Sequence, residues 1–148
     1  MKNKTRFTLL ITTVLIAFSL ILSACGASGP STNPDGSINV NVTLTDFGID
    51  SSLKTFEAGV PYHFIITNEG QVNHEMMIME PMMAGMEMSM EEMDELALAF
   101  VEEDDLPPGA TQTLDYTFMQ PTTAGSLEFS CHTPGHYEAG MKFPITVE

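Results

Sequence analysis

Four side chains with soft or borderline donor atoms carry a spacing that suits one metal ion: His74, Cys131, His136 and Met141. The last three form Cys-x4-His-x4-Met inside Phe129-Ser130-Cys131-His132-Thr133-Pro134-Gly135-His136-Tyr137-Glu138-Ala139-Gly140-Met141. One thiolate and two imidazoles in a plane, with a weak axial thioether, meet the differing demands of Cu(II) and Cu(I). Pro134 and Gly135 tighten the loop so that His136 turns back toward Cys131 and Met141. Cys131 also lacks a partner. The other cysteine, Cys25, lies in a segment with a different fate, and a lone exported thiol needs an occupant. A metal would fill that role.

The elements that must position these residues read as short strands. Ile38, Val40, Val42 and Leu44 alternate with polar residues, and so do Tyr62, Phe64 and Ile66, then Leu114, Tyr116 and Phe118. Leu127, Phe129 and Cys131 share one parity; Met141, Phe143, Ile145 and Val147 share another. His74 shares parity with Met76 and Ile78 along residues 73–79. Strands without βαβ spacing predict an all-β, antiparallel sandwich. One insertion interrupts it. Ser89 and Glu92 form a capping box, and Met90, Met93, Ala97, Phe100 and Val101 follow at helical spacing. The spacing predicts a short amphipathic helix over 90–101, closed by Leu106-Pro107-Pro108-Gly109.

Taken together, the Cys-loop-His-loop-Met run and the upstream Phe64-Ile65-Ile66-Thr67-Asn68-Glu69-Gly70-Gln71-Val72-Asn73-His74 resemble the cupredoxins, the type 1 blue copper proteins. The loop lengths look like those of auracyanin- and rusticyanin-type members. The resemblance covers most of 37–148. It implies a Greek-key β-sandwich, one copper ion, electron transfer, and His74, Cys131, His136 and Met141 as ligands. Many members place Asn directly after the upstream histidine, whereas this chain has Glu75 there and Asn73 before it. That departure touches the hydrogen bonds around the sulfur ligand.

Other residues invite chemistry and have plainer readings. His132 follows Cys131, as in multicopper oxidases, but a trinuclear cluster needs His-x-His pairs and the chain has none. Alternation turns His132 away from the metal, as an exposed histidine. His63 falls on the polar side of its strand. Nine of the twelve methionines lie between Met76 and Met93. Several suit packing or a contact surface, while Met82, Met83, Met86 and Met88 form a candidate second site for Cu(I), which thioethers favour.

The N-terminus reads as an export signal. Lys2, Lys4 and Arg6 precede an uncharged run from Phe7 to Leu22, shorter than the about 20 residues of a membrane span. Leu22-Ser23-Ala24-Cys25 resembles a bacterial lipobox, so residues 1–24 are expected to be removed and Cys25 to carry lipid. Residues 26–36 read as a flexible tether, leaving 37–148 as one domain. The mature chain would hold Lys54 and Lys142 against 20 acidic residues, a formal charge of −18. Such a surface excludes nucleic acid and attracts a basic redox partner of cytochrome type. The expected role is a membrane-tethered electron carrier outside the cytoplasm. Copper delivery is the alternative, and enzymatic catalysis is not expected, since no spare histidine cluster offers a second copper site.

Overall fold

Alternating apolar residues in the strands bury one face each, and two such faces close on each other. The computed structural model describes residues 31–148 except Ala84, Gly85 and Glu87. The expected signal 1–24, Cys25 and tether residues 26–30 lie outside the described residues. The strands are β1 (Ile38–Thr45), β2 (Gly48–Ser51), β3 (Thr55–Phe56), β4 (Pro61–Asn68), β5 (Met76–Met79), β6 (Ala99–Val101), β7 (Thr111–Thr117), β8 (Leu127–Ser130) and β9 (Lys142–Val147). One sheet has the order β2-β1-β4-β7 and the other β3-β9-β8-β5-β6. The sandwich is not wholly antiparallel: β1 runs parallel to β4, and β3 parallel to β9. Local alternation carries no information on strand direction, so the sequence could not reveal these long-range pairings.

Val40, Val42 and Leu44 of β1 and Tyr62, Phe64 and Ile66 of β4 bury against Phe129, Ile145 and Val147 of the facing sheet. Phe129 meets Phe56 at 5.9 Å and Phe64 at 5.7 Å, edge to face. This cluster stands directly behind Cys131. The β5 strand is buried on both faces, because Met77 and Met79 pack under the insertion with Met93.

The insertion differs from its prediction. Helix α1 (Met90–Leu96) starts at the expected capping box, with Ser89 accepting from the Glu92 amide, but ends five residues early. Ala97 is already extended, and residues 99–101 pair with β5 as β6. An open edge on β5 outcompetes another helical turn. Residues 31–36 also depart from a free tether. Thr32 bridges to Ile38, and the Asn33 side chain donates to Ser37 Oγ and Asn39 Oδ1.

Candidate metal centre

Three of the four predicted site residues meet at one end of the sandwich. Cys131 leaves β8, His74 lies two residues before β5, and His136 opens the short helix α2 (His136–Ala139). His74 Nδ1 is 3.2 Å from His136 Nδ1, Cys131 Sγ is 3.4 Å from His136 Nδ1, and Sγ is 3.9 Å from His74 Nδ1. A point in the plane of these atoms lies about 2.0 Å from each, close to the roughly 2.0–2.3 Å of imidazole and thiolate bonds to a divalent ion. The residues therefore fit one metal ion. Cys131 and His74 are fully buried and His136 half-buried, so one edge of the site reaches the surface.

Backbone geometry joins Met141 to the same loop. Its carbonyl accepts from the Cys131 amide at 3.1 Å, its amide donates to the His136 carbonyl at 3.0 Å, and its side chain is fully buried. Gly135 and Gly140 flank α2 with φ of 86° and 105°, a left-handed backbone that glycine adopts without strain. The loop turns twice within ten residues because both glycines allow it.

Burial raises the Cys131 thiol above its ordinary range, opposed by the Thr133 hydroxyl and by the backbone amides of Glu75 and Thr133. Those amides are positioned to favour a sulfur anion. Burial also lowers His74, reinforced by the neighbouring His136 and opposed by Asp46. His74 Nε2 is buried without a hydrogen bond, its nearest charge being Asp46 Oδ1 at 3.5 Å. A proton on Nε2 facing Asp46 leaves Nδ1 free to bind metal. Sequence reasoning missed Asp46, which sits in the turn after β1, far from the ligand motif. Replacing it by alanine is expected to weaken copper binding about 10-fold, read by chelator competition, with little change in unfolding midpoint.

Asn68 and Gly70 hold the His74 loop. Asn68 Nδ2 donates to the Val72 and Leu106 carbonyls, and its Oδ1 accepts from the Gly70 amide, each at 2.8 Å. A Cβ on Gly70 would overlap Asp46 Oδ1 and stand 2.7 Å from His74 Nε2. Gly70→Ala should therefore displace the imidazole, costing about 1–3 kcal/mol in chemical denaturation and weakening metal affinity.

Glu75, where many cupredoxins have Asn, is buried, and its carboxylate accepts from the His132 amide. Burial pushes its pKa up to about 7, against the lowering effect of that amide. His132 is not the exposed residue that alternation predicted: it is 7% exposed. Every residue of β8 is buried, Glu128 and Ser130 included, so the face turned away from the core is itself covered and buries His132. Its ring stacks on Tyr137 at 4.5 Å and bonds Ser130 Oγ at 2.9 Å. His63 pairs with Asp115 at 2.6 Å, away from the centre. Met82, Met83, Met86 and Met88 line hollows next to α1.

No protein-family model matches the chain. Among curated proteins it is 28% identical to the copper-resistant cuproprotein CopI of Pseudomonas aeruginosa, over 80% of this chain and 81% of that one. Among solved structures it resembles auracyanin from Roseiflexus castenholzii, with 23% identity, a TM-score of 0.56, and coverage of 81% of this chain and 99% of that one. Rusticyanin from Thiobacillus ferrooxidans gives 16% identity, a TM-score of 0.51 and coverage of 80% and 86%. The chain shares the fold of auracyanin and rusticyanin.

Proposed function

We propose that this protein holds one copper ion in a type 1 site and carries single electrons between redox partners outside the cytoplasm. The observation that carries this reading is the convergence of His74 Nδ1, Cys131 Sγ and His136 Nδ1 around one point. Met141, buried on the same loop, would supply the thioether ligand. Copper held by these residues would supply one-electron redox chemistry. The chain contributes rigidity. Sandwich strands and the Cys131–Met141 backbone bonds hold the donors in place, so little rearrangement accompanies a change of charge. Half-buried His136 is the exit toward a partner. No His-x-His pair supplies a catalytic copper cluster, which favours a carrier over an enzyme.

Lipid on Cys25 would tether the domain to the outer face of the membrane. Among the described residues no helix is long and apolar enough to cross one. The acidic surface suits a basic partner, whose electron-transfer rate should fall as salt rises. Voltammetry tests the core of the proposal: a reversible one-electron wave is expected, and its absence in copper-loaded protein argues against it. Mass spectrometry of the membrane-extracted chain tests the lipid, which should leave Cys25 as an acylated first residue.

A second reading, copper handling, is favoured by the likeness to CopI and by the methionines outside the metal centre. The two readings share the same site and differ in whether more copper is held elsewhere.

A further inference from the structure

The clustered methionines fall into two groups. Met76, Met77, Met79 and Met93 are buried and pack the sandwich and the underside of α1. Met83 is 71% exposed, and Met86 and Met90 are exposed too, while Met82 and Met88 are partly buried. A hollow of about 630 Å³ opens among Met82, Met83, Met86, Met88, Met90 and Met93. Its opposite wall is the metal loop, through Pro134 and Gly135, with the His132–Tyr137 stack.

The composition of that lining is the informative feature. The main core is built from Val, Leu, Ile and Phe with few methionines, whereas none of those four types lines this hollow among the described residues. A space shaped only for apolar packing would draw on the same residues as the core. Thioether sulfur is what sets it apart. The segment is also anchored at both ends. The Met82 amide donates to Tyr137 Oη at 3.1 Å, and Tyr137 donates to Glu128 at 2.7 Å; Ser89 and Glu92 cap the far end. Between these anchors, flexible side chains can converge on one ion.

The geometry points to a second metal site, for Cu(I), formed by thioethers of Met82, Met83, Met86 and Met88 beside the metal loop. These four also line a second hollow of about 670 Å³, where Leu96, Leu98 and Leu127 join the wall. Soft, neutral sulfur selects Cu(I) over harder divalent ions. The chain's net charge of −15 favours a cation. Lys142 on the rim opposes it, although its ammonium is held 4.3 Å above the Tyr137 ring. The site deepens the copper-handling reading and does not depend on Cys131.

The test is anaerobic titration of the full chain with Cu(I) against a chromophoric chelator. Unaltered protein should bind two equivalents. Cys131→Ser should keep one, the M82L/M83L/M86L/M88L variant should keep the other, and the combined variant none. Leucine preserves apolar volume, and circular dichroism checks folding. If the methionine site exists without the type 1 site, native protein and Cys131→Ser both bind one equivalent, lost on leucine substitution. Retention of full stoichiometry by the leucine variant overturns the inference, as does loss of all binding in Cys131→Ser. A second readout is the methionine methyl NMR spectrum. Met83 and Met86 should shift on adding Cu(I), while Met119, 78% exposed elsewhere, should not. Equal shifts at Met119 mean non-specific binding and count against the site.

Discussion

Cys131→Ser should remove the intense visible absorption of the copper-loaded protein while leaving its far-ultraviolet circular dichroism unchanged. The absorption of a type 1 centre comes from charge transfer between thiolate and copper, and a hydroxyl cannot replace it. Copper affinity at this site should fall by more than the roughly 10–100-fold that losing an outer hydrogen-bond partner costs. The fold should tolerate the change, since serine is close to isosteric and Thr133 Oγ1 lies only 3.4 Å from the sulfur it replaces. Retained blue colour in the variant would place the chromophore elsewhere and remove Cys131 from the site.

Phe129→Ala should produce the largest loss of stability. Phe129 is fully buried two residues before Cys131, and its ring contacts Phe56, Phe64 and Phe143. Truncation leaves a cavity at the centre of the sandwich and should cost about 3–5 kcal/mol. That is a large part of the roughly 5–15 kcal/mol by which a typical domain is stable. Because Phe129 and Cys131 share β8 and its continuation, the site should loosen with the core. Urea denaturation of the metal-free protein measures the first effect. Added copper should recover part of the loss, since binding to the native state alone raises apparent stability. A cost below about 1 kcal/mol would mean that the aromatic cluster does not support the metal loop.

Much of this arrangement was legible in residue order. The period of two at Ile38–Leu44 and Tyr62–Ile66 reports a half-buried strand directly, because side chains alternate across a sheet. The Cys131–Met141 loop is similarly local: eleven residues with Pro134, Gly135 and Gly140 leave few paths except a tight return. His74 was placed by parity and by its likeness to the cupredoxin pattern. What stayed hidden depends on contacts between distant segments. Parallel pairing of β1 with β4 leaves no local trace. Asp46 meets His74 only because two loops pack together at the same end of the sandwich. The early end of α1 was decided by the open edge of β5, whose pull on Ala99–Val101 exceeds the helical preference of Ala97 and Phe100. His132 is buried because both faces of β8 are covered, which alternation alone does not report. Its stacking partner, Tyr137, comes from α2, five residues further along the loop.

The most direct measurement is the combined optical and electron paramagnetic resonance spectrum of the copper-loaded protein. A thiolate and two imidazoles around one ion should give an intense visible band with an unusually small copper hyperfine splitting. Weak absorption with the wide splitting of ordinary tetragonal Cu(II) would mean that the Cys131 sulfur is not bonded to the metal. The electron-carrier reading would then have no chemical basis.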